Sequence, residues 1–197
     1  FSLEYAGKEL VLDRNKNSKT TQLFQLLMLH TEDGGISKAA MIEALYGRVE
    51  VENKNSSLNN TIFRLRKQLR DIGLPESKYI NIQSGMCCWD ENIKVWVDVC
   101  EFKSLVEQVR TEKREGDRLQ LWLKIWKIYK GEFLPDMIGE NWAAVENVQC
   151  RDDYFQVTTQ LCQWLKNNER YEDLHRISHM TAEIYPFDEW QIWEIEV

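Results

Sequence analysis

Between Ser56 and Arg70, apolar residues recur at Leu58, Ile62, Leu65 and Leu69, four, three and four positions apart. At ~100° per residue they fall on one narrow stripe of a helix. The opposite face carries Ser56, Asn60, Phe63, Arg64 and Lys67, with Arg66 and Arg70 on one flank, and no carboxylate interrupts the stretch. An apolar back with a front of amides, hydroxyls and cations suits a polyanionic partner rich in hydrogen-bonding groups, which is what a DNA major groove presents. A solvated helix with a chance cluster of positive charge is the plainer alternative.

The neighbouring pattern is mixed. Residues 1–12 predict two short strands about a turn at Ala6-Gly7-Lys8. After the polar run Asp13–Lys19, a helix is predicted over Thr20–His30, with Leu23, Leu26, Leu27 and Met28 on a wide apolar face and a stop at Asp33-Gly34-Gly35. Ser37 as N-cap, with Met41, Ile42 and Leu45 as apolar positions, predicts a helix over Lys38–Tyr46 that Gly47 ends. Arg48–Asn55 reads as a polar loop leading into the basic helix, about 55–71, which Gly73 and Pro75 terminate. Tyr79-Ile80-Asn81-Ile82 and Cys87-Cys88-Trp89, on either side of Gln83-Ser84-Gly85-Met86, predict a hairpin.

From Val97 onward the period is helical throughout. One helix is expected from there to about Glu115, broken by Gly116-Asp117, and a second over Leu119–Tyr129. A loop follows, Tyr129-Lys130-Gly131-Glu132-Phe133-Leu134-Pro135. One or two helices are then expected over Trp142–Lys166, another over Tyr171–Tyr185, and a last one from Asp188 to the end at Val197. Trp122, Trp126 and Trp142, at helical spacing, are expected to pack into the core. Helix pairs with buried aromatics and Gly, Asn or Pro breaks suggest tetratricopeptide-like packing, although no clean internal repeat of roughly 34 residues is present.

Charge divides the chain in the same place. Residues 1–97 hold 13 Lys and Arg against 12 Asp and Glu, whereas residues 98–197 hold 12 against 20, giving the formal −7 of the whole. A near-neutral first half and an acidic second half point to different partners for each. Apolar content of 43% and charged content of 29% are those of a soluble globular protein, and no apolar run approaches the ~20 residues of a membrane span. The chain starts at Phe1 and stops inside a helical pattern, so a fragment of a longer protein is expected. Five cysteines, two of them vicinal (Cys87, Cys88), show no metal-ligand spacing and fit reduced thiols in a cytoplasmic protein.

Chemistry-bearing constellations are sparse. There is no Gly-rich phosphate loop and no nucleophile elbow. His175 and His179 stand four apart, as a metal-binding pair would, but lack a third ligand. Asp152-Asp153 reads as helix surface charge. No catalysis, metal or cofactor is expected.

Two resemblances bear on function. Ile36-Ser37-Lys38 through Leu45-Tyr46-Gly47, then Arg64-Leu65-Arg66-Lys67-Gln68-Leu69, then Tyr79-Ile80 and Gly85, resemble the winged-helix DNA-binding domain of OmpR-type response regulators of two-component systems. The Arg-Leu-Arg-Lys-x-Leu run stands where that family keeps its recognition helix, just before the wing. Val97-Asp98-Val99-Cys100-Glu101-Phe102, followed by Tyr129-Lys130-Gly131-Glu132-Phe133-Leu134, resembles the bacterial transcriptional activation domain that follows a winged helix in SARP-type regulators (Streptomyces antibiotic regulatory proteins), with Trp142, Glu146, Arg151, Asp173 and Pro186 at similar positions. Together they imply an α+β winged helix-turn-helix domain over 1–96, then an all-α tetratricopeptide-like domain over 97–197.

The resemblance further implies a transcriptional regulator that binds double-stranded DNA, as a homodimer, with RNA polymerase as a further partner of its helical half. The residues it would place on DNA are Ser57, Asn60, Thr61, Phe63, Arg64, Arg66, Lys67 and Arg70. Asn60 and Arg64 would face base edges, because their forks match adenine and guanine. Ser57, Thr61, Arg66 and Lys67 would hold phosphates. The sequence departs from the family pattern in three ways. Phe63 replaces a small or basic residue, and would either meet a thymine methyl or pack on a neighbour. The wing carries no positive charge. Glu50 and Glu52 lie in the loop before the basic helix, which in that family can face the polymerase. The acidic total and uncharged wing support a competing expectation, a protein-interaction scaffold that has lost DNA binding. In that case Arg64, Arg66, Lys67 and Arg70 would be mostly tied to carboxylates of the second half.

Overall fold

In the computed structural model, which describes residues 1–137 and 139–191, the first half is built around helix α1 (Lys19–Leu29). Ser18 caps it, accepting from the Thr21 N–H (3.2 Å) and donating to the Asp13 carboxylate (2.8 Å). Every residue from Thr20 to Leu29 is buried, so α1 is a core helix on all sides rather than a one-faced one. Before it, β1 (Leu3–Tyr5) and β2 (Lys8–Leu10) pair antiparallel about Ala6 and Gly7, both at positive φ, as a tight hairpin requires.

After α1 comes β3 (Ile36–Ser37), then α2 (Lys38–Tyr46), whose first turn is capped by the Ser37 hydroxyl accepting from the Ala40 N–H at 3.1 Å. Helix α3 (Lys54–Asp71) is the predicted basic helix. The Asn53 side chain caps it by accepting from the Ser56 N–H (2.9 Å), and Gly73, at φ 93°, closes its C-terminal end. The hairpin is β4 (Ile80–Gln83) and β5 (Met86–Trp89), turning at Ser84 and Gly85.

Strand β3 adds to this hairpin in the order β3-β5-β4, with Ile36 opposite Cys87 and Ser37 opposite Met86. The approach is close at Gly35 (φ 101°), where a Cβ would stand 2.5 Å from the Cys87 carbonyl oxygen. One buried cluster joins the parts: Leu23, Phe24 and Leu27 of α1, Met41 and Leu45 of α2, the four α3 anchors, and Tyr79, Ile80 and Trp89 at the wing.

The remaining helices are α4 (Asp98–Thr111), α5 (Glu115–Ile128), α6 (Asn141–Asn167) and α7 (Tyr171–Ile184). The break expected at Gly116-Asp117 lies earlier. The Glu112 carboxylate accepts from the N–H groups of Lys113 and Arg114 (2.8 Å each) just beyond α4, and Gly116 sits inside the first turn of α5. Glu115 and Asp117 there favour the positive end of the helix dipole. The stretch Trp142–Lys166 is one helix. Of the last predicted helix, Asp188–Val197, the described part is a 3-10 turn, Glu189–Gln191; residues 192–197 lie outside the described residues.

The chain divides into two units, Phe1–Cys100 with Leu134–Ala144, and Glu101–Phe133 with Val145–Val197. A division at 96/97 therefore leaves out segment 134–144, which belongs with the first unit. Trp142 packs against the first unit's core, and Glu140 accepts from Gln22 (2.9 Å) and pairs with Lys19 (3.4 Å). In the second unit, Tyr129 stacks on Tyr154 at 4.1 Å and its hydroxyl meets that of Tyr185 at 2.5 Å. Trp122 is buried, while Trp126 is half-buried, its indole N–H reaching the Thr181 hydroxyl at 3.4 Å.

Candidate nucleic-acid interface

Helix α3 is held along one side and open along the other. Leu58, Leu65 and Leu69 are fully buried and Ile62 is 2% exposed. Burying each such side chain contributes about 1.5–3 kcal/mol, so the rotation of α3 about its axis is fixed by its leucines. The opposite face then presents Ser56, Asn60, Phe63, Arg64, Lys67 and Arg70, all exposed, with Ser57 half-buried beside them. Among the described residues, Arg64, Lys67 and Arg70 form no ion pair with any carboxylate. From Asn60 to Lys67 the helix rises about 10 Å, and its diameter of about 10–12 Å is one that a major groove about 12 Å wide admits.

Two of the predicted contacts are corrected. Thr61 is 7% exposed, and its hydroxyl pairs with that of Tyr46 at 2.7 Å. Its position flanks the leucine stripe, and its hydroxyl is spent joining α2 to α3 rather than facing the open side of the helix. Arg66 is half-buried: its Nε donates to the Lys78 carbonyl (3.0 Å) and its terminal nitrogen to the Ile80 carbonyl (2.5 Å). Those carbonyls bracket Tyr79, which is fully buried at φ 57°, a left-handed conformation that costs a non-glycine residue about 1–3 kcal/mol. Arg66 is thus a clamp from α3 to the base of the wing, and Ser77 completes it by accepting from the Tyr79 N–H (2.7 Å) and donating to Asp90 (2.8 Å).

The β4–β5 turn carries no charge of its own, and one lysine comes beside it while another stands at the far end of the hairpin. The Lys38 N–H donates to the Gly85 carbonyl at the wing tip (2.7 Å), which brings the start of α2 beside the turn, and exposed Lys78 stands at the base of β4. The sequence reading missed Lys38, because its proximity depends on the two-residue strand β3, too short to register as a pattern. In the loop before α3, Glu50 and Glu52 are exposed, while Arg48 donates to the Gly139 carbonyl (2.9 Å) and to the Asn141 side chain.

Several electrostatic details are structural. Hydrogen bonds from the Asn15 N–H, the Ser18 hydroxyl and the Gln68 amide hold the Asp13 carboxyl below its usual range, tying the segment before α1 to α3. The Ser77 hydroxyl and Asn92 do the same for Asp90. Burial raises the Cys87 thiol and pushes that of Cys162 up to about 12, so neither is a ready thiolate at neutral pH. Asp153, read from sequence as surface charge, is instead buried against Arg110 (2.8 Å) and Gln149 (3.1 Å). His175 and His179 are exposed, ring centroids 6.0 Å apart, and among the described residues no group of three His, Cys, Asp or Glu side chains could hold a metal ion. No described helix is long and apolar enough to cross a membrane.

The comparisons with known proteins locate the fold. No protein-family model matches the chain. No curated protein matches it either. Among solved structures it is similar to Mycobacterium tuberculosis EmbR in complex with a low-affinity phosphopeptide, with a TM-score of 0.67 at 12% identity over 99% of this chain. The match spans 51% of that EmbR chain, about half its length. The likeness shows that the chain shares the fold of the matched part of that EmbR chain.

Proposed function

We propose that the chain is a sequence-specific DNA-binding transcriptional regulator whose helix α3 enters the major groove. The observation that supports it most is the face of α3: exposed amides and cations without a carboxylate partner among the described residues, on a helix that buried leucines hold from behind. A scaffold that had lost DNA binding would tie these cations to carboxylates, and among the described residues Arg64, Lys67 and Arg70 have no such pair, which favours the DNA-binding reading. The fold shared with EmbR agrees with the reading.

Asn60 and Arg64 are the proposed base readers, and Ser57, Lys67 and Arg70 the phosphate contacts. Arg66 and Thr61 support these residues from within the protein. With only Lys38 beside an uncharged turn, one copy gathers few phosphates, so the proposal places two copies on repeated half-sites. The helical second half, where acidic residues exceed basic ones, is the proposed surface for dimerisation or contact with RNA polymerase.

The test is selection of duplexes from a random pool by the purified chain, followed by gel shift with the enriched sequence. A preferred site should emerge, and Arg64→Ala should weaken it by roughly 1–3 kcal/mol and relax the choice at one base pair. Failure to enrich any sequence, with the chain folded, would overturn the proposal.

A further inference from the structure

Phe63 is the one large apolar side chain on the open face of α3. It is 70% exposed, against 0–2% for the four apolar anchors of the same helix. Its neighbours one turn away are Asn59, Asn60, Arg66 and Lys67, and of these Asn59, Asn60 and Lys67 are exposed. At ~100° per residue, Phe63 and Arg64 bound an arc of about 100° that holds Asn60 and Lys67, and exposed Arg70 lies about 20° beyond Phe63, so the ring stands on the exposed face between Lys67 and Arg70.

A phenyl held there by a rigid helix remains wetted unless the partner offers an apolar feature at the same depth. In a major groove only one base edge does so: thymine, through its C5 methyl group. Asn60, three residues earlier, has the fork that fits adenine, and three residues of helix rise about 4.5 Å, close to one base-pair step of about 3.4 Å.

We propose that Phe63 is a specificity-determining residue that reads a thymine methyl in an A·T-containing core of the half-site, beside the adenine taken by Asn60. The inference rests on the DNA-binding reading above and adds a named base feature to it. It also explains why a position flanked by amides and cations carries an aromatic ring: the ring selects by dehydration, where a cation would add affinity to any sequence.

The experiment uses the duplex enriched by the chain, with each thymine replaced in turn by deoxyuridine, which removes the methyl and leaves every hydrogen-bonding group. At one thymine per half-site, affinity should fall about fourfold, the worth of one buried methyl. Phe63→Ala should bind the unmodified duplex about as weakly and be indifferent to deoxyuridine at that position. The ring is exposed and Ala is the better helix former, so the variant should fold. If no thymine is sensitive in the wild-type chain, or if Phe63→Ala keeps the same sensitivity, the inference is overturned while DNA binding stands. If Phe63→Ala changes the oligomeric state and leaves the deoxyuridine profile untouched, Phe63 is a protein contact and the inference is again overturned. If no duplex is enriched, the DNA-binding reading fails first and takes this one with it.

Discussion

The hydroxyls of Tyr46 and Thr61 meet at 2.7 Å in the buried joint between α2 and α3. Tyr46 also reaches the Ser57 carbonyl at 3.4 Å, so this one phenol fixes the first turns of α3 against α2. Tyr46→Phe keeps the ring and strands the Thr61 hydroxyl. It should destabilise the first unit by about 1–3 kcal/mol, read by urea denaturation, because a buried polar group loses its partner.

Leu65 is fully buried at the centre of the α3 stripe. Leu65→Ala should lose about 2–5 kcal/mol of stability through lost apolar burial and a residual cavity. Lys67→Ala, on the opposite face, should leave stability within about 0.5 kcal/mol. The contrast, measured in one denaturation series, checks which side of α3 is anchored.

Arg66 separates a clamp from a phosphate contact. Removing it frees the carbonyls of Lys78 and Ile80 and the strained Tyr79 between them. Arg66→Ala should raise amide exchange in β4 and weaken DNA binding without changing its salt dependence. A phosphate contact would instead lower the salt slope by about 1.

Acid should act on the first unit through Asp13 and Asp90. Both carboxyls are held low by hydrogen bonds, the first chiefly by the Asn15 N–H and the second chiefly by the Ser77 hydroxyl. They bind protons less readily folded than unfolded. Their contribution is therefore complete above the unfolded value of about 3.9 and is lost as pH falls through the lower folded values. Stability should drop below about pH 4, and Asp90→Asn should make that drop shallower. Thermal melts across that range provide the check.

Much of the fold was legible where periodicity is long. The stripe Leu58, Ile62, Leu65, Leu69 marked α3, and Ser37 with Met41 and Leu45 marked α2 to the residue. What was not legible depends on tertiary contact. Strand β3 has two residues and exists only because Gly35 lets it approach Cys87. Segment 134–144 joins the first unit through Glu140 and Trp142, which no local pattern announces. At the candidate site, helical angle separated Asn60 and Lys67 from the core, but residues on the flanks fall either way. Thr61 turned inward to Tyr46, and Arg66 turned to the wing carbonyls. Composition showed Arg66 as one more cation; only the path of residues 78–80 shows what it holds.

The salt dependence of binding to the selected duplex addresses the open face of α3 most directly. The logarithm of the association constant should fall linearly with the logarithm of salt concentration, with a slope of about −0.9 for each phosphate neutralised. Lys67→Ala should reduce that slope by about 1 with stability unchanged. Binding that ignores salt, or a Lys67→Ala slope equal to that of the wild-type chain, would contradict an α3 face that meets the phosphates of DNA.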